Sequence, residues 1–253
     1  MDLKEALERF ALRMGDNTLV LGHRVSEWCG HAPVLEEDIA LANTALDLIG
    51  QTQFWLGLAA EVQEEGKTAD NLAFLRDAWD FRNLLLVELP NGDFGRTLMR
   101  QFLFDAWQSI YLPRLAKSSD GRVAAIAEKA SKEAAYHVER SADTVVGLGD
   151  GTEESHARMQ KALEYLWPYV GEIFATDEAD DILAEAGVAV HPESLKDEFY
   201  DLVTRVLNEA TLDIPQDPFF HKGGRNGVCH TEHLGHMLTE MQWLQRAYPG
   251  ATW

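Results

Sequence analysis

Four helical segments of the sequence carry charged or polar side chains at or beside positions where a helix bundle is expected to be apolar. Asp105 and His137 interrupt the apolar stripes of the third and fourth long segments, and Asp47 flanks the stripe of the second. Arg24 and Asn17 interrupt the stripe of the first. Because a carboxylate removed from water is costly unless it is paired or binds a metal, this pattern indicates a metal centre or a buried polar network.

The metal chemistry that this placement would serve is that of a di-iron centre. Such a centre takes one Glu from each of two helices and a Glu-x-x-His pair from each of the other two. Gly50 stands where a histidine would follow Asp47, and Ala134 stands where a carboxylate would precede His137. Glu133 is one residue away, rotated by about 100° around the helix. Only about three of the six ligands therefore remain.

The incomplete ligand set predicts a relic site, in which the positive charge of Arg24 pairs with Asp47 or Asp105 in place of a metal. The alternative is an enzyme with its own reduced metal centre, built from the side chains of Asp47, Asp105, Glu133 and His137. Gly50 and Ala134, the two lost ligand positions, favour the relic site, and no metal is expected there.

A second group of ligand-type residues surrounds the start of the last helix: Cys229, His230, Glu232, His233 and His236. Its members belong to one short segment beside a glycine-rich loop, so a zinc site is the less favoured interpretation. The favoured interpretation is that Thr231 caps the helix and that the histidines satisfy hydrogen bonds between helices. Nucleophile-elbow, P-loop and dinucleotide-binding motifs are absent from the sequence.

Helical periodicity dominates the chain, and few segments alternate as strands do. Four long helices are predicted, at about residues 3–28, 35–64, 94–118 and 121–148. On the second, the apolar heptad positions expected to face the core are Leu35, Ile39, Ala42, Leu46, Ile49, Leu56 and Ala60. Accessory helices are expected over about residues 152–247. The sequence therefore predicts an all-α four-helix bundle with additional C-terminal helices, packed as a single domain over residues 1–253.

Composition and charge exclude several classes of function. Asp and Glu total 42 against 22 Lys and Arg, a net charge of -20, and no cluster of five basic residues occurs. Nucleic acid and anionic membranes are therefore poor partners, whereas a basic partner protein is favoured. No apolar run is long enough to span a bilayer. The two cysteines, Cys29 and Cys229, form no CxxC motif, which is typical of the reducing cytoplasm.

Six strings of the sequence resemble the C-type chains of bacterial phenylacetyl-CoA ring-epoxidising monooxygenases, in the phenylacetic acid catabolic protein family. They are DNTLVLGHRVSEWCGHAP, EEDIALANTALDLIGQ, NLLLVELPNGDF, KEAAYH, NEATLDIPQ and HTEHLGHMLTEMQWLQRAYPGATW. The similarity covers nearly the whole chain, and the strings are long enough to be specific.

This resemblance implies a ferritin-like helical fold and membership of a multicomponent oxygenase. A related A subunit would carry the di-iron centre and bind the acyl-CoA, and a small B subunit would join the assembly. A reductase with flavin and an iron–sulfur cluster would deliver electrons from NADPH. The C-type chain itself is implied to be a catalytically silent paralogue without a cofactor, which pairs with the A subunit and supports it in aerobic phenylacetate breakdown.

Overall fold

The computed structural model describes residues 1–216 and 219–251, and every regular element among them is helical. The α-helices are α1 Leu3–Ser26, α2 Leu35–Gln63, α3 Ala69–Phe74, α4 Leu85–Glu88, α5 Phe94–Leu115, α6 Gly121–Gly149, α7 Glu153–Leu166, α8 Glu178–Glu185, α9 Lys196–Glu209 and α10 Glu232–Ala247. Short 3-10 helices are found at Ala78–Asp80, Trp167–Phe174 and Pro192–Leu195. This architecture confirms the predicted all-α class and is consistent with a ferritin-like bundle.

The four predicted long helices correspond to α1, α2, α5 and α6, with ends that differ by at most three residues. Three of the four long helices, α1, α5 and α6, begin after an aspartate whose carboxylate caps the helix, such as Asp2, which accepts a hydrogen bond from the backbone N of Glu5. Val34, which precedes α2, makes no side-chain capping hydrogen bond. None of the helices in the described part of the chain combines the length and the low charge that are needed to cross a membrane.

The chain forms two compact units. Unit 1 consists of residues 1–90 and 222–251, and unit 2 consists of residues 91–216 and 219–221. The prediction of a single domain over residues 1–253 stays a prediction, and its residues 217, 218, 252 and 253 lie outside the described residues. Each unit has its own pair of long helices, since α1 and α2 belong to unit 1 and α5 and α6 belong to unit 2.

In unit 1, α1 and α2 pack along their length in antiparallel orientation. Near the start of α1 the Gln63 amide donates a hydrogen bond of 2.8 Å to the Glu8 carboxylate. Further along α1 the hydroxyls of Thr18 and Thr52 lie 2.9 Å apart. Because residue numbers on α2 fall as those on α1 rise, the two helices run in opposite directions. The short connection between them therefore joins antiparallel neighbours, as predicted.

The heptad prediction for α2 is confirmed at Leu56 and Ala60, which are buried, but is wrong in the first half of the helix. Leu35, Ile39 and Leu46 are 71%, 53% and 70% exposed, whereas residues on the other side of the helix, such as Leu48 and Trp55, are buried. Apolar residues occur all round α2, so periodicity does not single out one face. A heptad stripe also drifts by about 20° per seven residues on a straight helix.

In unit 2, α5 is buried on most of its surface and packs on α6, with α7 and α9 contacting both. Its buried residues include five polar side chains, at Thr97, Arg100, Gln101, Asp105 and Gln108. The carboxylate of Asp93 begins α5 by accepting a hydrogen bond of 2.9 Å from the backbone N of Arg96. Unit 2 therefore places the predicted carboxylate of the third helix inside a packed core.

The last turn of α6 depends on a glycine. A Cβ added at Gly149 would lie 2.5 Å from the backbone oxygen of Ala210, which cannot move without shifting the end of α9. We therefore expect Gly149→Ala to lower the free energy of unfolding by about 1–3 kcal/mol. Gly147→Ala is the matched control, because a Cβ there meets nothing within 4 Å.

The control is expected to raise the free energy of unfolding by about 0.4–1 kcal/mol, since alanine restricts the unfolded chain. Urea unfolding followed by circular dichroism measures both variants. Equal stability of the two variants would show that the close approach of α6 and α9 contributes nothing.

Candidate functional site

The structure places two of the predicted site residues inside the core of unit 2. Asp105 on α5 and His137 on α6 are 2% and 4% exposed. The amide Nε2 of Gln101, one turn before Asp105, donates a hydrogen bond of 2.7 Å to Asp105 Oδ1. The carboxyl therefore lies among polar neighbours from two helices and away from solvent.

Burial raises the pKa of the Asp105 carboxyl from 3.8 to about 6, because the charged form loses its hydration. The charge of His137 acts in the opposite direction, and the side chains of Ser141 and Gln101 also lower the pKa. The carboxyl therefore changes its protonation state slightly below neutral pH. The Asp105 carboxyl can therefore be either protonated or negatively charged within the core of unit 2.

On α6 the position at which a ligand loss is predicted, Ala134, faces the same way as His137, and this loss stays a prediction. Ala134 is one turn before His137 and is 1% exposed, so it lies on the buried face of the helix. Glu133, the neighbouring carboxylate, is half-buried. A methyl group thus occupies the place from which a carboxylate would join the imidazole in a di-iron site.

The predicted residues of α2 lie in unit 1. Asp47 and Gly50 are both half-buried. Gly50 follows the exposed Leu46 by one turn, and a Cβ added to it would meet nothing within 4 Å. A side chain at position 50 would therefore point into open space, away from the side of α2 that carries Leu48 and Trp55. The interpretation of Gly50 as a lost ligand stays a prediction.

The residues present do not fit a di-iron centre. Across residues 1–216 and 219–251, no three His, Cys, Asp or Glu side chains are grouped so that they could hold a metal ion. A complete di-iron centre takes six such ligands. The start of the last helix therefore has no counterpart of the zinc site among the described residues. The alternative metal centre built from Asp47, Asp105, Glu133 and His137 draws its residues from both units and stays a prediction.

The two polar residues of the α1 stripe hold the segment around α4. Asn17 donates from Nδ2 to the backbone oxygen of Arg13 at 2.9 Å and accepts from the backbone N of Leu84 at 2.8 Å. The guanidinium of Arg24 donates to the backbone oxygen of Glu88, at 2.8 Å from one nitrogen and 3.2 Å from another. The predicted pairing of Arg24 with a carboxylate of the relic site stays a prediction.

A buried carboxylate that the sequence analysis missed lies at the end of α4. Glu88 is fully buried and accepts four hydrogen bonds. The donors are Asn83 Nδ2 at 2.9 Å, His230 Nδ1 at 2.6 Å, and the backbone N and hydroxyl of Thr231, each at 2.7 Å. We name Glu88, Asn83, His230 and Thr231 the Glu88 junction. The available signal was a lone acidic residue within the apolar string LLLVELP.

The Glu88 junction also decides what Thr231 and His230 do. Thr231 occupies the N-cap position of α10, as predicted. The expected side-chain cap is wrong, because the Thr231 hydroxyl makes no capping hydrogen bond and donates to Glu88 instead. The prediction of a hydrogen-bonded histidine is confirmed for His230, whose Nε2 lies 3.2 Å from the backbone oxygen of Phe81. Cys229 is exposed.

The similarity of this chain to known proteins covers both units. The profile of the family described as phenylacetic acid catabolic protein matches residues 2–253. The chain is also 50% identical over 247 residues to the C subunit of 1,2-phenylacetyl-CoA epoxidase from Escherichia coli (strain K12). That alignment covers 98% of this chain and 99% of the relative.

Proposed function

The chain belongs to the phenylacetic acid catabolic protein family, and we propose that it is a non-catalytic subunit of a multicomponent phenylacetyl-CoA epoxidase in phenylacetate catabolism. The observation that carries the proposal is the 50% identity to the Escherichia coli epoxidase chain over 98% of this chain. In this assembly the chain pairs with the catalytic A subunit and supports its fold. A small B subunit and a reductase complete the complex.

The geometry of unit 2 supports a silent role. Asp105 and His137 are buried, but Ala134 stands where a di-iron site would have a carboxylate. The described residues contain no group of three metal-binding side chains. We therefore propose that the di-iron centre and the acyl-CoA chemistry belong to the A subunit. The polar core of unit 2 then serves packing, with Gln101 and His137 moderating the cost of burying the Asp105 charge.

Reconstitution tests this role. Oxygenase turnover is measured with the A subunit, the B subunit and the reductase, with and without this chain. We expect omission to lower turnover at least about tenfold and to lower the melting temperature of the A subunit. The reason is that a partner present at 100 times its Kd stabilises a protein by about 2.7 kcal/mol.

Metal analysis of each purified chain provides the second arm of the same experiment. Iron is expected with the A subunit and at far less than one atom per copy of this chain. Full turnover without this chain would contradict the supporting role. Stoichiometric iron in the isolated chain, lost in the His137→Ala variant, would instead establish the metal-binding alternative.

A further inference from the structure

The outward side of α2 carries an unusual share of the apolar surface. Of the 15 exposed large hydrophobic side chains among the described residues, five lie within residues 34–54: Val34, Leu35, Ile39, Leu46 and Phe54. Single exposed hydrophobic residues are ordinary, but a group on one element marks an interaction surface. Four of the five lie on α2 and Val34 directly precedes it, so this concentration requires an explanation that the packing of unit 1 does not supply.

Three of these side chains lie along one side of α2 and begin a strip that the exposed Gln53 interrupts near its C-terminal end. Leu35, Ile39 and Leu46 are followed at helical spacing by Gly50 and Gly57, and we name these five residues the α2 face. A Cβ added at Gly50 or Gly57 would meet nothing within 4 Å, so both positions are recesses open to the outside. The strip runs for about 33 Å along the helix. Its form, with bulky residues beside shallow recesses, suits the side chains of another helix.

The charge of α2 indicates what kind of partner this is. The helix contains five carboxylates, at Glu36, Glu37, Asp38, Asp47 and Glu61, and no Lys or Arg. The whole chain has a net charge of -20. A second copy of the chain would bring acidic groups against acidic groups, which opposes association. A partner with basic residues beside an apolar helix is complementary to this surface.

We propose that the α2 face binds an apolar helix of a different protein, whose flanking residues are Lys or Arg. This inference rests on the proposed function, which supplies the A subunit as the protein that carries this helix. The apolar strip provides the contact area, and the carboxylates around it select a basic partner over a second copy. The association is therefore expected to weaken as the salt concentration rises.

The test compares the affinity of the full chain and its variants for the purified A subunit. Leu46→Arg removes a large apolar contact and places a positive charge opposite a basic surface, so we expect the Kd to rise about ten- to hundredfold. Leu46→Asp removes the same contact but keeps the attractive charge, and its Kd is expected to rise less. The matched control is Leu75→Arg, at an exposed leucine outside α2.

Each outcome has a distinct meaning. If the parent chain does not bind the A subunit, the proposed function fails and this inference fails with it. If the parent binds and Leu46→Arg binds equally well with an unchanged melting temperature, only the inference is overturned. Light scattering of the isolated chain gives the third outcome. A dimer that Leu46→Arg converts into monomers would show that a second copy occupies the α2 face, which also overturns the inference.

Discussion

Replacement of Glu88 by alanine is expected to lower the free energy of unfolding by about 3–5 kcal/mol, because four donors around the buried carboxylate lose their acceptor. Glu88 is fully buried, and the His230 side chain that it binds is 5% exposed. Truncation would leave four donors, from Asn83, His230 and Thr231, without their acceptor. Each unsatisfied buried donor costs about 1–3 kcal/mol, so relaxation of the surrounding structure must absorb part of this cost.

The loss should be concentrated where the Glu88 junction attaches the C-terminal segment. Thermal melts give the overall effect, and hydrogen exchange of α10 shows whether that helix opens before the rest of unit 1. Glu240→Ala is the control, since this acidic residue of α10 is exposed and is expected to change stability by about 0.5 kcal/mol or less. A Glu88→Ala variant with parental stability and unchanged α10 exchange would show that the junction is not structural.

The long helices could be predicted from the sequence, whereas the hydrogen-bond partners of Glu88 could not. Helix periodicity is a local property, so the ends of α1, α2, α5 and α6 were predicted to within three residues. The partners of Glu88 are not local: His230 lies 142 residues away along the chain. No spacing rule connects such residues, so the sequence predicts a hydrogen-bonded histidine here but neither its partner Glu88 nor the contact of the Thr231 hydroxyl.

The apolar pattern predicted the buried positions correctly at the candidate site in unit 2 but not in the first half of α2. Asp105 and His137 occur within apolar stripes, and the structure buries both. On α2, apolar residues on every side made the heptad pattern ambiguous, and the assigned stripe proved to be largely the exposed face that carries Leu46. A pattern identifies a buried position reliably only when the opposite side of the helix is polar. The surface that α2 presents to a partner is therefore visible only in the structure.

The second large effect is expected in the pH dependence of stability. The Asp105 carboxyl has a pKa near 3.8 in the unfolded chain and about 6 in the folded protein. Between these values the folded protein keeps a proton that the unfolded chain has lost. The stability that Asp105 contributes is therefore complete below about pH 4, falls as the pH rises through 6, and then stays constant. The difference between the two pKa values corresponds to about 3 kcal/mol.

Asp105→Asn removes this titration while keeping an oxygen that accepts from Gln101. Between pH 5 and 7.5, the parent is therefore expected to lose about 1–2 kcal/mol relative to the variant. Urea unfolding across this range measures the difference, with Asp201→Asn as an exposed control that removes the same charge. Identical pH profiles for the parent and Asp105→Asn would contradict the raised pKa.

Asp105→Ala separates the structural role of the carboxyl from a chemical one. The truncation leaves the buried Gln101 amide without its acceptor, so we expect a loss of about 1–3 kcal/mol at pH 5. This loss is expected to shrink by about 1–2 kcal/mol at pH 7.5, because the parent itself loses the stability of the protonated carboxyl over that range. Turnover per intact complex is expected to stay near the parental value, because the proposed chemistry belongs to the A subunit. A variant that melts like the parent but abolishes turnover would show that Asp105 acts in the reaction, and the silent-subunit proposal would be wrong.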